Sequence, residues 1–339
     1  MTQEEIIKQT ERKPHLFILG AGATKACIPN GDKNQRPSPV MEGFLASIGK
    51  EDILNDVNLE NKSENIETIY SELHEKPEYH SKVKEIENVI VEYFSNMQIP
   101  DNPTLYDYLI LSLRSKDCIA TFNWDPLLVQ AYKRVYSITT DLPQLVFLHG
   151  NVAIGLCKTC HTYSPLFFPY CPKCHSILEP MPLLYPVKEK DYTQHWGIKG
   201  FWNTFEHYLE AAAIVTIWGY SAPESDETAI KMMLKVFSIS FRKLDQIEII
   251  DIADPNGIAD KWEKFSKETN YHINVVKSLS DTLLWEFPRR SIDGYVKRNF
   301  SGWWGKNKLS LRENLSWEEL EDLVQPLLEQ EYKNQISVN

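Results

Sequence analysis

Short apolar runs recur along the chain, and most of them end in glycine or a polar residue. The runs are His15–Leu19, Cys118–Phe122, Leu145–Leu148, Ala211–Trp218 and Ile247–Ile252. Runs of this length with few polar positions are typical of strands buried on both faces of a parallel sheet. Segments with helical spacing separate most of them. The pattern therefore predicts an α/β fold built on a doubly wound parallel sheet.

The ends of these strands carry the candidate chemistry. In a doubly wound sheet, ligands bind in the crevice at the carboxyl ends of the strands. The residues that follow the five runs are therefore expected to share one cleft, and they include Gly20, Asn123, His149, Gly219 and Asp254.

Two further stretches have the apolar spacing of helices. Residues 41–117 are rich in polar residues, and apolar positions such as Ile66, Ile69, Tyr70 and Leu73 share one helical face, which predicts an inserted helical module. Residues 29–40 are rich in Pro, Gly and Asn and are expected to form a loop over the cleft.

Near the C-terminus, Ser316 has the features of a helix N-cap. The apolar stripe that follows it, in residues 300–339, either packs on its own domain or forms an assembly surface.

The first strand runs into Gly20-Ala21-Gly22-Ala23-Thr24-Lys25-Ala26. This segment begins like the dinucleotide-binding fingerprint, in which glycines let the backbone approach a pyrophosphate at a helix N-terminus. Lys25 occupies the place of the third glycine. A simple turn from strand to helix is the alternative interpretation.

Four cysteines form two hooks, Cys157-x2-Cys160 and Cys171-x2-Cys174, with ten residues between them. Each hook lets two sulfurs of one turn reach the same tetrahedral ion, so the spacing predicts a structural Zn²⁺ in a ribbon over about residues 153–180. Four thiolates leave no position for water, and the metal is expected to brace the fold and not to react. Four unrelated thiols are the alternative.

Composition narrows the function. The 339 residues carry a net charge of −11, which argues against a dedicated nucleic-acid binder. No apolar run reaches 18 residues, so no transmembrane helix is expected. The polar N-terminus lacks the apolar region of a signal peptide, and a cytoplasmic location is expected.

Together the motifs resemble the sirtuin family. The ordered set that carries the resemblance is Gly20-Ala21-Gly22-Ala23-Thr24, Thr121-Phe122-Asn123-Trp124-Asp125, His149-Gly150, the four cysteines and Gly219-Tyr220-Ser221. The resemblance implies an NAD-binding Rossmann-like sheet with an inserted zinc ribbon. It spans about residues 14–280, and the catalytic domain is placed at 14–299 with a C-terminal helical segment at 300–339.

The resemblance also implies roles for the individual residues. Asn123 would hold the nicotinamide ribose and position a water, and His149 would act as the general base. Asp125 would contact the leaving carboxamide. The remaining cofactor-binding residues would be Gly20, Ala21, Gly22, Thr24, Gly219, Ser221 and Asp254. A helix N-cap is the alternative for Asn123, and a core or surface histidine is the alternative for His149.

Some positions depart from family deacylases. Phe122 stands where they carry Gln, and Ala23-Thr24 replaces Ile-Ser. The segment Pro180–Pro186 contains three prolines, which cannot supply a full hydrogen-bonding edge for an acylated peptide. Trp218-Gly219-Tyr220-Ser221 with Asp226 is closer to the sirtuin-like domains of bacterial anti-phage systems, which hydrolyse NAD.

The sequence therefore predicts an NAD⁺ glycohydrolase that acts in anti-phage defence. Such enzymes are held silent until they oligomerise or meet a partner such as an ATPase or an Argonaute-like protein, and both a homo-oligomer and a separate partner are expected. Two alternatives stay open, an NAD-dependent protein-lysine deacylase and a non-catalytic module that senses NAD or ADP-ribose.

Overall fold

A computed structural model describes residues 3–185, 192, 195–223, 226–237, 246–254, 257–258, 262, 272–302 and 309–336. Pro186, the last residue of the proline-rich segment, lies outside these ranges, as does part of the C-terminal segment, residues 303–308 and 337–339. Among the helices of the described residues, none has the length and apolar character needed to cross a membrane.

Nine strands form two sheets within the described residues. The strands are β1 His15–Leu19, β2 Cys118–Thr121, β3 Gln144–Phe147, β4 Ile154–Cys157, β5 Thr162–Pro165, β6 Glu179–Pro180, β7 Ile214–Trp218, β8 Gln246–Ile250 and β9 His272–Val276. The larger sheet has the order β3-β2-β1-β7-β8-β9, and all its pairs are parallel. Counted along this sheet alone, the order is 3-2-1-4-5-6, that of the dinucleotide-binding Rossmann fold.

Helices cover both faces of the larger sheet. Alternate residues of β1 enter different cores: Leu16 and Ile18 join one, and Phe17 and Leu19 join the other. The predicted doubly wound parallel sheet is therefore confirmed. The twelve α-helices of the described residues are α1 Gln3–Glu11, α2 Ala21–Cys27, α3 Phe44–Ser47, α4 Ile66–Glu75, α5 His80–Ser95, α6 Leu105–Leu111, α7 Leu127–Val135, α8 Trp196–Ala211, α9 Glu227–Phe237, α10 Leu283–Glu286, α11 Ser291–Ser301 and α12 Trp317–Ile336.

The structure changes three details of the strand prediction. Ala211 ends α8, so the fourth run becomes a strand only from Ile214. The fifth strand ends at Ile250, and Ile252 beyond it is 88% exposed. A sixth strand of the larger sheet, β9, was not predicted, because Asn274 in its middle interrupts the apolar run.

The predicted helical module is formed by α3 to α6. Its apolar face is buried in the same core as Phe17 and Leu19. Local capping fixes where two of its helices begin: Asn65 accepts a hydrogen bond from the Glu67 amide, and Thr104 and Asp107 form a reciprocal capping box. The module therefore packs against the same face of the sheet as α2.

The zinc ribbon is a separate three-stranded antiparallel sheet of order β5-β4-β6. It is inserted in the sequence between β3 and α8. Its own core is small and consists of Cys157, Cys171 and Leu178.

The C-terminal helix α12 packs on its own domain. Ser316 and Glu319 form the predicted cap: the Glu319 amide donates to Ser316 Oγ at 3.2 Å, and the Ser316 amide donates to Glu319 Oε2 at 2.8 Å. The helix continues through Pro326. Leu320 and Val324 of its apolar stripe are buried in the core that contains Phe17, and Leu327 is also buried. An assembly surface on this helix would therefore have to use its outer face.

Candidate active site

A cleft of about 750 Å³ opens at the carboxyl ends of the neighbouring strands β1 and β7. From β1 the sheet continues through β2 on one side, and from β7 it continues through β8 on the other. This is the topological switch point at which doubly wound sheets bind ligands. The loops after β1, β2, β3 and β7 all reach it. Among the sequence-predicted residues, those that line the cleft are Gly20, Ala21, Thr24, Asn123, Asp125, His149, Gly219 and Ser221.

Two of the predicted residues are placed differently. Gly22 belongs to the first turn of α2 but is not among the lining residues of the cleft. Asp254 lies four residues beyond β8, where its carboxylate accepts a hydrogen bond from the Gly257 amide at 3.1 Å. It also does not line the cleft. Their contacts with a cofactor stay a prediction.

The loops after β1 and β7 are in direct contact, and this contact explains their glycines. A Cβ on Gly20 would lie 2.5 Å from the carbonyl oxygen of Gly219. Gly219 has a positive φ of 63°, and a Cβ there would lie 2.3 Å from the Ala23 nitrogen. Close packing of two backbones therefore requires glycine at both positions.

The same contact uses some of the amides that the dinucleotide fingerprint would offer to phosphates. The Gly22 amide donates to the Gly219 carbonyl, and the Ala23 amide donates to the Gly20 carbonyl, both at 3.0 Å. These two donors are therefore engaged within the protein. A pyrophosphate at this loop would depend on other donors.

Asn123 is oriented by its amide nitrogen. Asn123 Nδ2 donates to the Gly20 carbonyl and to Thr24 Oγ1, both at 2.9 Å. Because a carbonyl oxygen only accepts, this contact fixes which end of the amide faces the loop. The amide oxygen is then the end available to a ligand. The helix-cap alternative does not describe this side chain, because it is Asp125 Oδ1 that accepts the hydrogen bond of the Leu127 amide, at 3.0 Å.

Thr24 is the hub of a buried polar network beneath the cleft. Its hydroxyl donates to Asp125 Oδ2 at 2.8 Å and accepts from the Tyr106 hydroxyl at 2.7 Å, in addition to Asn123. Burial raises the pKa of the Asp125 carboxyl, with the hydrogen bonds from Thr24 and the backbone opposing the shift. Burial also raises the pKa of Tyr106, and the nearby Asp125 adds to that shift. Both groups therefore favour their neutral forms relative to exposed counterparts.

Two members of this network were missed by sequence analysis. Tyr106 lies on α6, 82 residues from Thr24 of the glycine loop, and its sequence context indicates only a buried helix. Asn151 donates through Nδ2 to the Asp125 carbonyl at 2.6 Å and to the Asn123 carbonyl at 3.3 Å. Its position directly after His149-Gly150 was the signal that could have identified it.

His149 lies in the cleft wall with only 6% of its surface exposed. Its Nε2 is 3.2 Å from the Tyr192 hydroxyl and 3.5 Å from Asp226 Oδ1. The ring meets Phe122 edge to face, with centroids 4.8 Å apart. Asp226 also lines the cleft, although the sequence-based site did not include it.

Phe122 and Tyr220 form the apolar part of this wall. Their rings stack with centroids 4.1 Å apart at an interplanar angle of 7°. Phe122 thus places a flat apolar surface beside the histidine. Low local polarity strengthens the electrostatic contacts of the groups it encloses.

The predicted loop and helical module form the outer part of the cleft. Ser38, Pro39 and Met41 come from the loop region, Glu67 from α4 and Phe94 from α5, and all five line the cleft. Residues that the sequence could not place relative to the site therefore help to enclose it. The lining contains the acids Glu67, Asp125 and Asp226, and none of the lining residues found in the described part of the chain is a lysine or arginine.

The four cysteines of the ribbon converge as predicted. Their sulfur atoms all lie within 4.8 Å of one another, and the sulfurs of Cys157 and Cys174 are 3.5 Å apart. Tetrahedral zinc with Zn–S bonds of about 2.3 Å places its sulfurs roughly 3.8 Å apart, so the cluster fits this ion.

The backbone around the hooks supports the same assignment. The amides of Cys160 and Lys173 donate to the sulfurs of Cys157 and Cys171, both at 3.4 Å, as expected for thiolates. The residue after each hook, His161 and His175, has positive φ, so the two hooks turn in the same way. The donor set and its surroundings therefore suit a structural Zn²⁺.

The sequence matches no family model and none of the curated proteins. Solved structures with a similar fold include a Sir2 homologue in complex with NAD, at 16% identity, which covers 87% of this chain and 94% of that one with a TM-score of 0.40. A mutant Sir2 homologue bound to ADP-ribose has 16% identity, coverage of 88% and 97%, and a TM-score of 0.39. Sir2 bound to an acetylated peptide has 13% identity, coverage of 89% and 99%, and a TM-score of 0.36.

Proposed function

We propose that the chain is an NAD⁺ glycohydrolase. The observation that carries the proposal is that Asn123 and His149 line one cleft at the switch point of a sheet with the dinucleotide-binding strand order. An amide that can hold a water and an imidazole that can take its proton are the groups that hydrolysis of a glycosidic bond requires. We infer that NAD binds there with its nicotinamide ribose between the two side chains.

In the proposed reaction, the bond between C1′ of the ribose and the nicotinamide nitrogen breaks, and its electron pair leaves with nicotinamide. The ribose carbon becomes oxocarbenium-like, and water attacks it. The amide oxygen of Asn123 orients that water, and His149 accepts the proton that the water releases. The products are nicotinamide, ADP-ribose and one proton. We propose that Asp125, which lines the same cleft, contacts the carboxamide of the leaving group.

The segment after the zinc ribbon favours a small substrate over an acylated peptide. The Leu184 amide donates to the His149 carbonyl at 2.8 Å, and the Met181 amide donates to the Ile154 carbonyl at 2.9 Å. The Tyr185 ring stacks on Tyr70 of α4, with centroids 5.5 Å apart. Two backbone donors of this segment are thus already used and Tyr185 packs on α4, which leaves less edge for an incoming strand.

The four-cysteine site would hold Zn²⁺ through all four sulfurs, and the ion would supply stability without taking part in the reaction. The proposed biological role, an effector of anti-phage defence in the cytoplasm, rests on the resemblance of Trp218–Ser221 and Asp226 to such domains. We propose that a second copy of the chain or a separate ATPase or Argonaute-like protein switches the activity on.

The test is to incubate the purified full chain with NAD and to quantify nicotinamide and ADP-ribose by chromatography, with and without an acetylated peptide. Free ADP-ribose without peptide is expected, with loss of about 10²- to 10⁴-fold in His149→Ala and a comparable loss in Asn123→Ala. Formation of O-acetyl-ADP-ribose that requires the peptide would replace the proposal with a deacylase.

Binding of NAD without turnover, in the presence of a crowding agent and at high protein concentration, would instead favour a sensor. NAD binding is measured separately by calorimetry on His149→Ala, in which turnover is removed. This arm shows whether a failure lies in binding or in the chemical step.

A further inference from the structure

We propose that Asp226 is a positioning residue for His149: it holds one ring nitrogen of the histidine and thereby fixes which nitrogen can accept a proton. The kinetic part of this proposal rests on the proposed function. The structural part concerns the histidine alone and can be measured without any substrate.

The contact is enclosed. Asp226 Oδ1 lies 3.5 Å from His149 Nε2, and the side chains of the two residues are 3% and 8% exposed. A carboxylate this close to an imidazole nitrogen favours a proton on that nitrogen. In such a low-polarity setting the interaction is much stronger than at the surface.

The second oxygen of Asp226 is held in place. The Tyr220 hydroxyl donates to Asp226 Oδ2 at 3.0 Å, and the Tyr220 ring is itself stacked on Phe122. Phe122 in turn meets the His149 ring edge to face. Carboxylate, tyrosine, phenylalanine and histidine therefore form a closed ring of contacts, in which the orientation of each side chain limits the next.

This geometry favours one tautomer. With the Asp226 carboxylate as an acceptor, a neutral His149 carries its proton on Nε2 and shares it between Asp226 and the Tyr192 hydroxyl, which leaves the lone pair on Nδ1. The base of the proposed reaction is therefore Nδ1. The sequence points to His149 as the base but does not distinguish between its two ring nitrogens.

The other ionisable groups near the ring do not replace Asp226. Tyr192 contacts the same nitrogen at 3.2 Å, and burial raises the pKa of this phenol. Burial, together with Asp226, also raises the pKa of Tyr220. Both phenols therefore stay neutral near pH 7, and the further acids of the cleft are Asp125 and Glu67.

A purely structural role is the alternative. Asp226 directly precedes α9, a position where aspartate often serves as an N-cap. An N-cap would affect stability without changing how the imidazole titrates. The neighbouring Glu227 supplies a matched control, because it is an acid of the same helix turn whose carboxylate pairs with Lys231 on the surface.

The first measurement follows the imidazole nitrogens of His149 by NMR on the ¹⁵N-histidine-labelled full chain, with the signal identified by its loss in His149→Gln. In the unsubstituted protein the neutral ring is expected to carry its proton on Nε2. In Asp226→Asn the titration midpoint should move down by about one pH unit, because the amide no longer favours the protonated ring. Asp226→Glu should restore part of the shift, and Glu227→Gln should leave it unchanged.

The second measurement is the pH profile of NAD cleavage. Asp226→Asn is expected to lower kcat about tenfold to a hundredfold with KM changed less than about threefold, and to move the acidic limb to lower pH. Tyr220→Phe should also lower kcat and move the acidic limb to lower pH, but both changes should be smaller.

An unchanged tautomer and midpoint in Asp226→Asn would overturn the proposal, as would a loss confined to KM or to thermal stability. If the protein cleaves no NAD at all, the proposed function fails, while the NMR result still decides the role of Asp226.

Discussion

Two buried polar networks lie on the same face of the sheet, and only one of them opens into the cleft. At the carboxyl ends, Thr24 connects Asn123, Tyr106 and Asp125. In the first half of the strands, Thr216 connects His15 and Glu248. Each network has a buried threonine hydroxyl at its centre and ionisable groups around it.

The second network is sealed inside the protein. His15 Nε2 lies 2.7 Å from Thr216 Oγ1, and its Nδ1 lies 2.8 Å from Ser291 Oγ at the start of α11. The Thr216 hydroxyl donates to Glu248 at 3.2 Å. Burial, aided by the charge of Lys116, lowers the pKa of His15 to about 3. Burial raises the pKa of Glu248 to about 7, against the hydrogen bonds that favour its charged form.

The comparison shows that a displaced pKa does not by itself mark an active site. His15 and Glu248 are buried at least as deeply as the cleft residues, but neither lines the cleft. Their network instead joins β1, β7 and β8 to α10 and α11. Access to a ligand separates the two networks, and only the network at the carboxyl ends is placed to take part in the proposed catalysis.

The largest expected effect concerns the sealed network and pH. A carboxyl whose folded pKa lies above its unfolded value contributes stability at low pH and loses it as pH rises through the folded pKa. For Glu248 the unfolded value is 4.5 and the folded value about 7, so the loss falls between these values. It amounts to about 3 kcal/mol at 1.36 kcal/mol per pKa unit.

Glu248→Gln should remove this loss. The unfolding free energy of the variant, measured relative to that of the unsubstituted protein, should therefore rise by about 3 kcal/mol between pH 4.5 and pH 7. Urea denaturation at a series of pH values measures the difference, in which the opposite contribution of His15 cancels. NAD cleavage near pH 7 should be unchanged. Parallel stability curves for the two proteins would show that the carboxyl does not titrate in this range.

A second prediction compares the two threonines directly. Thr24→Val and Thr216→Val each remove a buried hydroxyl and keep the shape of the side chain, so each should cost about 1–3 kcal/mol of unfolding free energy. Thr24→Val should also lower NAD cleavage, since Asn123 loses one of the oxygens that orient it, whereas Thr216→Val should not. Serine at either position keeps the hydroxyl and serves as the control. Equal loss of cleavage in both valine variants would erase the distinction between the networks.

The sequence predicted parts of the fold and of the candidate sites, for different reasons. The four cysteines lie within 18 residues, so their spacing alone indicated a metal site. The strand ends identified Asn123 and His149, because parallel strands bring their carboxyl ends to one edge. Tyr106 and the link between Asp226 and His149 depend on how distant helices pack, and no local pattern reports that. Gly20 was predicted from a phosphate motif, but the structure gives it an additional reason, the close approach of Gly219.

The smallest expected effect lies at the edge of the sealed network. Ser291→Ala removes the hydroxyl that meets His15 Nδ1. Because the Thr216 hydroxyl donates to Glu248, the histidine donates from Nε2 to Thr216 and accepts at Nδ1 from Ser291. The variant leaves this acceptor unpaired, which should cost about 1 kcal/mol of unfolding free energy at pH 7 with no change in NAD cleavage. A fall in NAD cleavage that the loss of unfolding free energy does not explain would mean that α11 and the sealed network act on the cleft after all.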